Sequence, residues 1–238
     1  MAAATVVSSF QTWMPETGAK ASGFVGGLSA TSFAALTKVS SQETFKAGEQ
    51  IYREGDQATG AYVLLRGKVK LVASSSDGKA LILRIATAGE IIGLSAALSS
   101  RGNDTNAEVV EPATVAYVKT QALYQLMENS SDLSLRLAQQ LSIEYSSLCQ
   151  ELSTLGLQRS AMSRLAKLLV GLIDNRNAKN EKLELTCYLT HEEMAQMIGT
   201  SRETVTRLLR ELRDMGVASL KHSTLVIGGV ERLKSLME

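Results

Sequence analysis

Arg202, Glu203, Thr206, Arg207 and Arg210 follow one another at intervals of one, three, one and three residues, which gathers all five on one face of a helix. A guanidinium presents a flat fork of donors that matches the O6 and N7 acceptors of guanine, and a carboxylate accepts from the N4 amino group of cytosine. The chemistry open to such a face is hydrogen bonding to base edges in a DNA major groove. A charged face by itself is as easily a solvated surface, so the residues around it decide the matter.

N-terminal to this face, Thr190 with Glu193 three residues on forms a capping box, which satisfies amide donors at the start of a helix. A short helix is expected from His191 to Ile198. Gly199 then supplies the left-handed residue that ends it, and Thr200 or Ser201 restarts the chain, with Glu203 three residues after Thr200 as a second box. Two helices joined so tightly must cross steeply. Small Ala195 permits the approach, and Met194, Ile198, Val205, Leu208, Leu209 and Leu212 have the spacing of a shared apolar core. Caps, turn, small residue and polar face together describe a helix-turn-helix.

The 238-residue chain has room for two domains of ordinary size, and 45% hydrophobic with 21% charged residues describes a globular protein. Its formal net charge of +1 excludes a general polyanion binder, although 13 basic and 10 acidic residues from Arg159 onward leave that third mildly basic. With no long apolar run and no basic segment preceding an apolar core, neither a membrane span nor a secretory signal is expected, and the cytoplasm follows. Cys149 and Cys187 are too few for a disulfide framework, an iron–sulfur cluster or a four-cysteine zinc site. Cys187 and His191, four apart, lack further ligands, so no metal is expected there. Neither His191 nor His222 has a partner at catalytic spacing and the acids are scattered, so an enzyme is not expected.

Residues 1–27, rich in Ala, Ser, Gly and Thr, read as a mobile arm, from which Phe10, Trp13 and Phe24 are able to dock. Residues 28–130 read as a β-roll. After a short helix near Ser29 to Leu36, the period changes to two, with strand candidates at 61–65, 69–73, 80–85 and 114–118. Turn chemistry separates them, including Arg66-Gly67 and a hairpin tip at Asp77-Gly78. Residues 131–157 read as a long helix, which starts near Thr120 or, after a break at Asn129 to Ser131, near Asp132. Along it Ala138, Leu141, Tyr145, Leu148, Leu152 and Leu155 alternate steps of three and four, so two copies can pair as a parallel coiled coil. The alternative is that this stripe packs on its own roll. Gly156 offers a hinge into residues 158–238, where a helix is expected over Ser160 to Asp174, a polar loop over Asn175 to Glu181, the helix-turn-helix, and a hairpin wing over Val217 to Ile227. The fold class is α+β. Cys149 follows Leu148 and, in a pair of helices, would approach its twin as a redox switch; an inert buried cysteine is the commoner case.

A β-roll, a long pairing helix and a C-terminal winged helix-turn-helix in this order resemble the cyclic-AMP receptor protein/FNR (Crp/Fnr) family of bacterial transcription regulators, over about residues 30 to 230. The most specific piece is Ser201-Arg202-Glu203-Thr204-Val205-Thr206-Arg207, and the roll glycines Gly48, Gly55, Gly67, Gly78, Gly89 and Gly93 fit as well. The resemblance implies a homodimer that binds double-stranded DNA, with RNA polymerase as a further partner. By it, Arg202 and Arg207 contact guanines and Glu203 a cytosine in a TGTGA-type half-site. Thr190, Ser201, Thr204 and Lys221 hold phosphates, and Thr206 and Arg210 lie on the phosphate or groove surface.

Relatives that bind cyclic nucleotides carry a Gly-Glu pair for the ribose and, about ten residues on, an Arg followed by Ser or Thr for the phosphate. Here Gly93 is followed by Leu94 and Ser95, and the Arg position falls on Asn103 or Asp104, with Arg101 arriving early. The Thr-Ser pair that meets adenine on the long helix corresponds to Leu148-Cys149. A cyclic phosphate would find neither partner nor charge, so cyclic nucleotide is not expected. With no cysteine before Cys149 and no histidine in the roll, neither the cluster nor the haem of other branches is expected. An apolar or weakly polar effector, or none, is left, and with none a constitutive DNA-competent state. The competing function is an effector-binding or protein-interaction module that has lost DNA binding.

Overall fold

The structure is a computed structural model that describes residues 23–157, 160–173 and 183–237. Phe10 and Trp13 of the expected arm, and the expected loop Asn175 to Glu181, lie outside these residues. The chain divides into two compact units, Met1–Ser147 and Leu148–Glu238.

In the first unit, helix α1 (Ala30–Val39) begins at Ser29, whose side chain accepts from the Ser32 amide. Strands β1 (Ser41–Phe45), β2 (Gln50–Tyr52), β3 (Gly60–Ser74), β4 (Ala80–Thr87), β5 (Ile91–Ile92) and β6 (Asn106–Lys119) follow, with α2 (Leu94–Ser99) before β6. They form an antiparallel six-stranded sheet ordered β1-β6-β3-β4, with β2 on β6 and β5 on β3. The two expected strands 61–65 and 69–73 are one strand. At Gly67, φ of +90° and a missing Cβ let the Pro112 carbonyl approach to where a Cβ would stand 2.4 Å from it, and the ladder to β6 shifts register on either side. The residue chemistry that suggested a turn builds a bulge instead.

Alternation along β3 sends Val63 and Leu65 to one core and Leu64 to another; beyond the bulge the phase is inverted, and Val69 and Leu71 join Leu64. The first core is closed by Phe33 and Leu36 of α1, by Leu123 of α3 (Thr120–Asn129), and by Leu133 and Leu137 of the long helix α4 (Ser131–Leu157). Phe24 docks there too, 1% exposed, while Arg136 Nη2 donates to the Gly23 carbonyl at 2.8 Å.

The second unit holds the last turns of α4, then α5 (Ala161–Gly171), β7 (Leu183–Thr186), α6 (His191–Ile198), α7 (Arg202–Asp214), β8 (Ala218–Lys221), β9 (Thr224–Ile227) and α8 (Val230–Lys234). The division between the units falls inside α4, at Ser147–Leu148. Helix α4 passes through Gly156 without a break. Strands β7, β9 and β8 make a three-stranded antiparallel sheet, in that order.

Candidate nucleic-acid interface

Thr190 Oγ1 accepts from the Glu193 amide at 3.1 Å and a Glu193 carboxylate oxygen accepts from the Thr190 amide at 2.9 Å, which completes the capping box and starts α6 at His191. Gly199, at φ of 61°, ends it. Of the two expected restarts, Ser201 is the cap, accepting from the Thr204 amide at 3.3 Å, so the expected second box between Thr200 and Glu203 does not form. One residue of displacement decides which side chain faces the third amide of the helix. Met194, Ala195, Ile198, Val205, Leu208, Leu209 and Leu212 are buried, so the two helices meet along the expected apolar seam. Helix α5 fastens the turn, because Arg164 Nε donates to the Ile198 carbonyl at 2.7 Å.

Burying that seam leaves Arg202, Glu203, Thr206, Arg207 and Arg210 exposed together on the other face of α7. Hydrogen bonding from its own amide and then from Ser201 holds the Glu203 carboxyl below the ordinary carboxylate range. Near neutrality this side chain is an acceptor, as cytosine N4 requires. Arg202 and Arg210 form no salt bridge among the described residues, whereas Arg207 Nη1 lies 2.6 Å from Glu211 Oε1. Thr190 Oγ1 donates to Glu193 at 2.9 Å. A hydroxyl has one proton, so its donation to a phosphate requires that bond to open. Ser201 Oγ and Thr204 Oγ1 are 3.1 Å apart, beside the start of α7.

The wing is β8–β9, with Lys221 opposite Thr224. His222, at φ of 54°, makes the turn, and Lys221 and His222 are exposed at its tip. The Cys187 amide bonds the Ser223 carbonyl at 2.8 Å, tying β7 to the wing. Cys187 is buried, no three metal-ligating side chains converge among the described residues, and His191 faces elsewhere. Its Nδ1 lies 2.9 Å from Thr206 Oγ1, which joins the start of α6 to the polar face of α7. His191 was not among the interface residues expected from sequence; its place directly after the cap Thr190 was the available signal.

On α4 the exposed face carries Leu135, Ala138, Tyr145, Leu152 and Cys149, with Tyr145 70% and Leu152 68% exposed. Leu148 is 41% exposed, Leu141 instead packs against the first core, and the Leu155 side chain is outside the described residues. These exposed positions lie on the helix face away from Leu133 and Leu137, with a step of seven residues from Ala138 to Tyr145 where Leu141 turns inward.

In the roll, Gly93 adopts a left-handed conformation at φ of 72° and Leu94 is 1% exposed, while Ser95 and Asp104 are exposed. Asn103 is 7% exposed, and its Nδ2 donates to the Arg53 carbonyl. It braces a loop rather than offering a free amide. The cation next to the long helix is one that sequence spacing did not single out. Arg84 of β4 bonds Glu90 and lies 3.3 Å from Glu144 of α4, and Gln140 donates to Glu144 at 3.2 Å. Burial pushes the Glu144 carboxyl up from its ordinary range, against the pull of Arg84 and Gln140. Tyr52 is pushed up to about 12, by burial before anything else, and stacks through Tyr62 toward Tyr117 with ring centroids 5.7 and 5.0 Å apart.

Residues 42–130 match the family model of the cyclic nucleotide-binding domain, and residues 163–236 that of the Crp-like helix-turn-helix domain. The chain is 28% identical over 177 residues to the cAMP-activated global transcriptional regulator CRP of Pasteurella multocida, covering 74% of this chain and 84% of that one. It is 27% identical over 212 residues to the CRP-like cAMP-activated global transcriptional regulator of Mycobacterium tuberculosis, covering 89% and 94%. A CRP/FNR-family transcriptional regulator from Thermus thermophilus superposes with a TM-score of 0.68 at 28% identity, covering 83% and 98%.

Proposed function

The chain belongs to the Crp/Fnr family of DNA-binding transcription regulators, and from that premise we propose that it acts as a cytoplasmic homodimer reading a TGTGA-type inverted repeat, with a sensor unit that does not use cyclic AMP. One observation carries this: the seam between α6 and α7 is buried while Arg202, Glu203 and Arg207 stand exposed on a single helix face. Two guanidinium forks and an ionised carboxylate within two turns supply the donors and the acceptor that a guanine- and cytosine-containing half-site asks for. Thr190, Ser201, Thr204 and Lys221 serve phosphates, fixing register, and Thr206 and Arg210 lie on the phosphate or groove surface. The exposed stripe of Ala138, Tyr145 and Leu152 supports pairing of two long helices, which supplies the second recognition helix for a palindrome.

The relatives from Pasteurella and Mycobacterium are cAMP-activated. This chain departs from them where charge matters. Leu94 is buried where a ribose-binding carboxylate is expected, and the Arg84 guanidinium already carries Glu90 and Glu144. A phosphate reaching it would displace an internal carboxylate, which supports either a different effector or none. No helix among the described residues is long and apolar enough to cross a membrane. RNA polymerase is the proposed protein partner, on family grounds.

The test is fluorescence anisotropy of the full chain on a labelled TGTGA-type palindrome, without ligand and with cyclic AMP, across salt concentrations. Preference for the palindrome over a scrambled duplex, unchanged by cyclic AMP, is expected. Equal affinity for both duplexes would refute the half-site, and cyclic-AMP-dependent binding would refute the sensor reading.

A further inference from the structure

The single proton of a threonine hydroxyl fixes which atom donates in a hydrogen bond at the α6–α7 junction. Thr206 Oγ1 donates to the Arg202 carbonyl one turn back, at 3.0 Å, a bond in which the carbonyl only accepts. The same oxygen lies 2.9 Å from His191 Nδ1. Since the hydroxyl proton is committed to Arg202, Thr206 accepts in the second bond and His191 Nδ1 donates. The other ring nitrogen, Nε2, is then either a bare lone pair on a neutral ring or an N–H donor on an imidazolium.

Position decides between the two once DNA is present. When a recognition helix lies in the major groove, the preceding helix crosses the phosphate backbone. His191 is the first residue of that preceding helix, at its electropositive end. It is partly exposed and bonded to the very face that carries Arg202, Glu203, Arg207 and Arg210. A phosphate oxygen accepts and does not donate, so it repels a lone pair and bonds an N–H.

Resting on the DNA-binding reading, we propose that His191 is a proton-coupled phosphate contact: on binding, each protomer takes one proton from solvent, Nδ1–H stays on Thr206, and Nε2–H bonds a backbone phosphate. The charged groups on the two helices that meet at this contact are Glu192 and Glu193 on α6 and Arg202, Glu203, Arg207 and Arg210 on α7. Binding adds DNA phosphates beside this ring, and a nearby negative charge favours the imidazolium in the complex. Because the complex binds more protons than its separated parts, affinity is highest at low pH and falls as pH rises through the imidazole range.

The experiment measures affinity of the full chain between about pH 6 and 8 at constant ionic strength. It uses the TGTGA-type palindrome and, at low salt, a random-sequence duplex, since a phosphate contact is indifferent to sequence. A loss of about fivefold or more across that range is expected on both duplexes. His191→Gln should flatten the curve, His191→Arg should hold it high throughout, and His222→Gln should leave the slope intact. In the complex at neutral pH, nitrogen NMR of labelled histidine should show both His191 nitrogens protonated. A slope that survives in His191→Gln, or a neutral ring protonated only on Nε2, would overturn the proposal. Binding without pH dependence refutes this inference alone; no binding of either duplex at any pH refutes the DNA-binding reading beneath it.

Discussion

Arg207 must leave one partner to reach another. In the free chain its guanidinium pairs with Glu211 one turn along α7 at 2.6 Å, the two side chains being 63% and 45% exposed. At that exposure and spacing the pair contributes about 0.3–0.5 kcal/mol. A bidentate contact to guanine discriminates by about 1–3 kcal/mol, so the base wins and Glu211 opposes binding only weakly. Two substitutions therefore move in opposite directions. Arg207→Ala should weaken the palindrome by about 5- to 150-fold per half-site and abolish preference at one base pair. Glu211→Gln should strengthen it by up to about twofold per half-site, with that preference kept. Anisotropy titrations on the palindrome and on duplexes altered at each half-site position read both quantities. If Glu211→Gln weakens binding as much as Arg207→Ala does, Glu211 aims the guanidinium instead of competing for it, and the reasoning fails.

At Gly67 a Cβ would sit 2.4 Å from the Pro112 carbonyl at a φ of +90°. Gly67→Ala should therefore lower the stability of the first unit by about 2 kcal/mol or more, seen as a reduced Tm in calorimetry. Glu144 titrates above its ordinary range because burial penalises the charged form. Its contribution to stability is present at low pH and is lost as pH rises through the raised value, so Glu144→Gln should flatten that decline in pH-dependent denaturant titrations. Charging the exposed stripe with Tyr145→Glu and Leu152→Glu together should shift the chain to monomers in sedimentation and lower palindrome affinity by about tenfold or more; a dimer of undiminished affinity would place the interface elsewhere.

The helix-turn-helix was legible residue by residue because its signals are local. Thr190 caps through an amide three residues away, Gly199 turns the chain on its own backbone freedom, and Val205, Leu208, Leu209 and Leu212 declare a buried side through helical periodicity. The same locality explains the failures. Gly67 has the same preference for positive φ in a turn and in a bulge, and only the approach of the Pro112 carbonyl selects the bulge. The heptad spacing put Leu141 on the pairing stripe, but contact with the first core turns it inward.

From the sequence alone came the order of roll, long helix and winged helix-turn-helix, the family, and the polar face of Arg202, Glu203 and Arg207, since these depend on local patterns. Tertiary structure decided which polar groups already hold one another: Arg84 with Glu144, 60 residues apart, and His191 with Thr206, 15 apart. Periodicity places a side chain on a face; only the folding of distant segments against each other brings two faces to within a hydrogen bond.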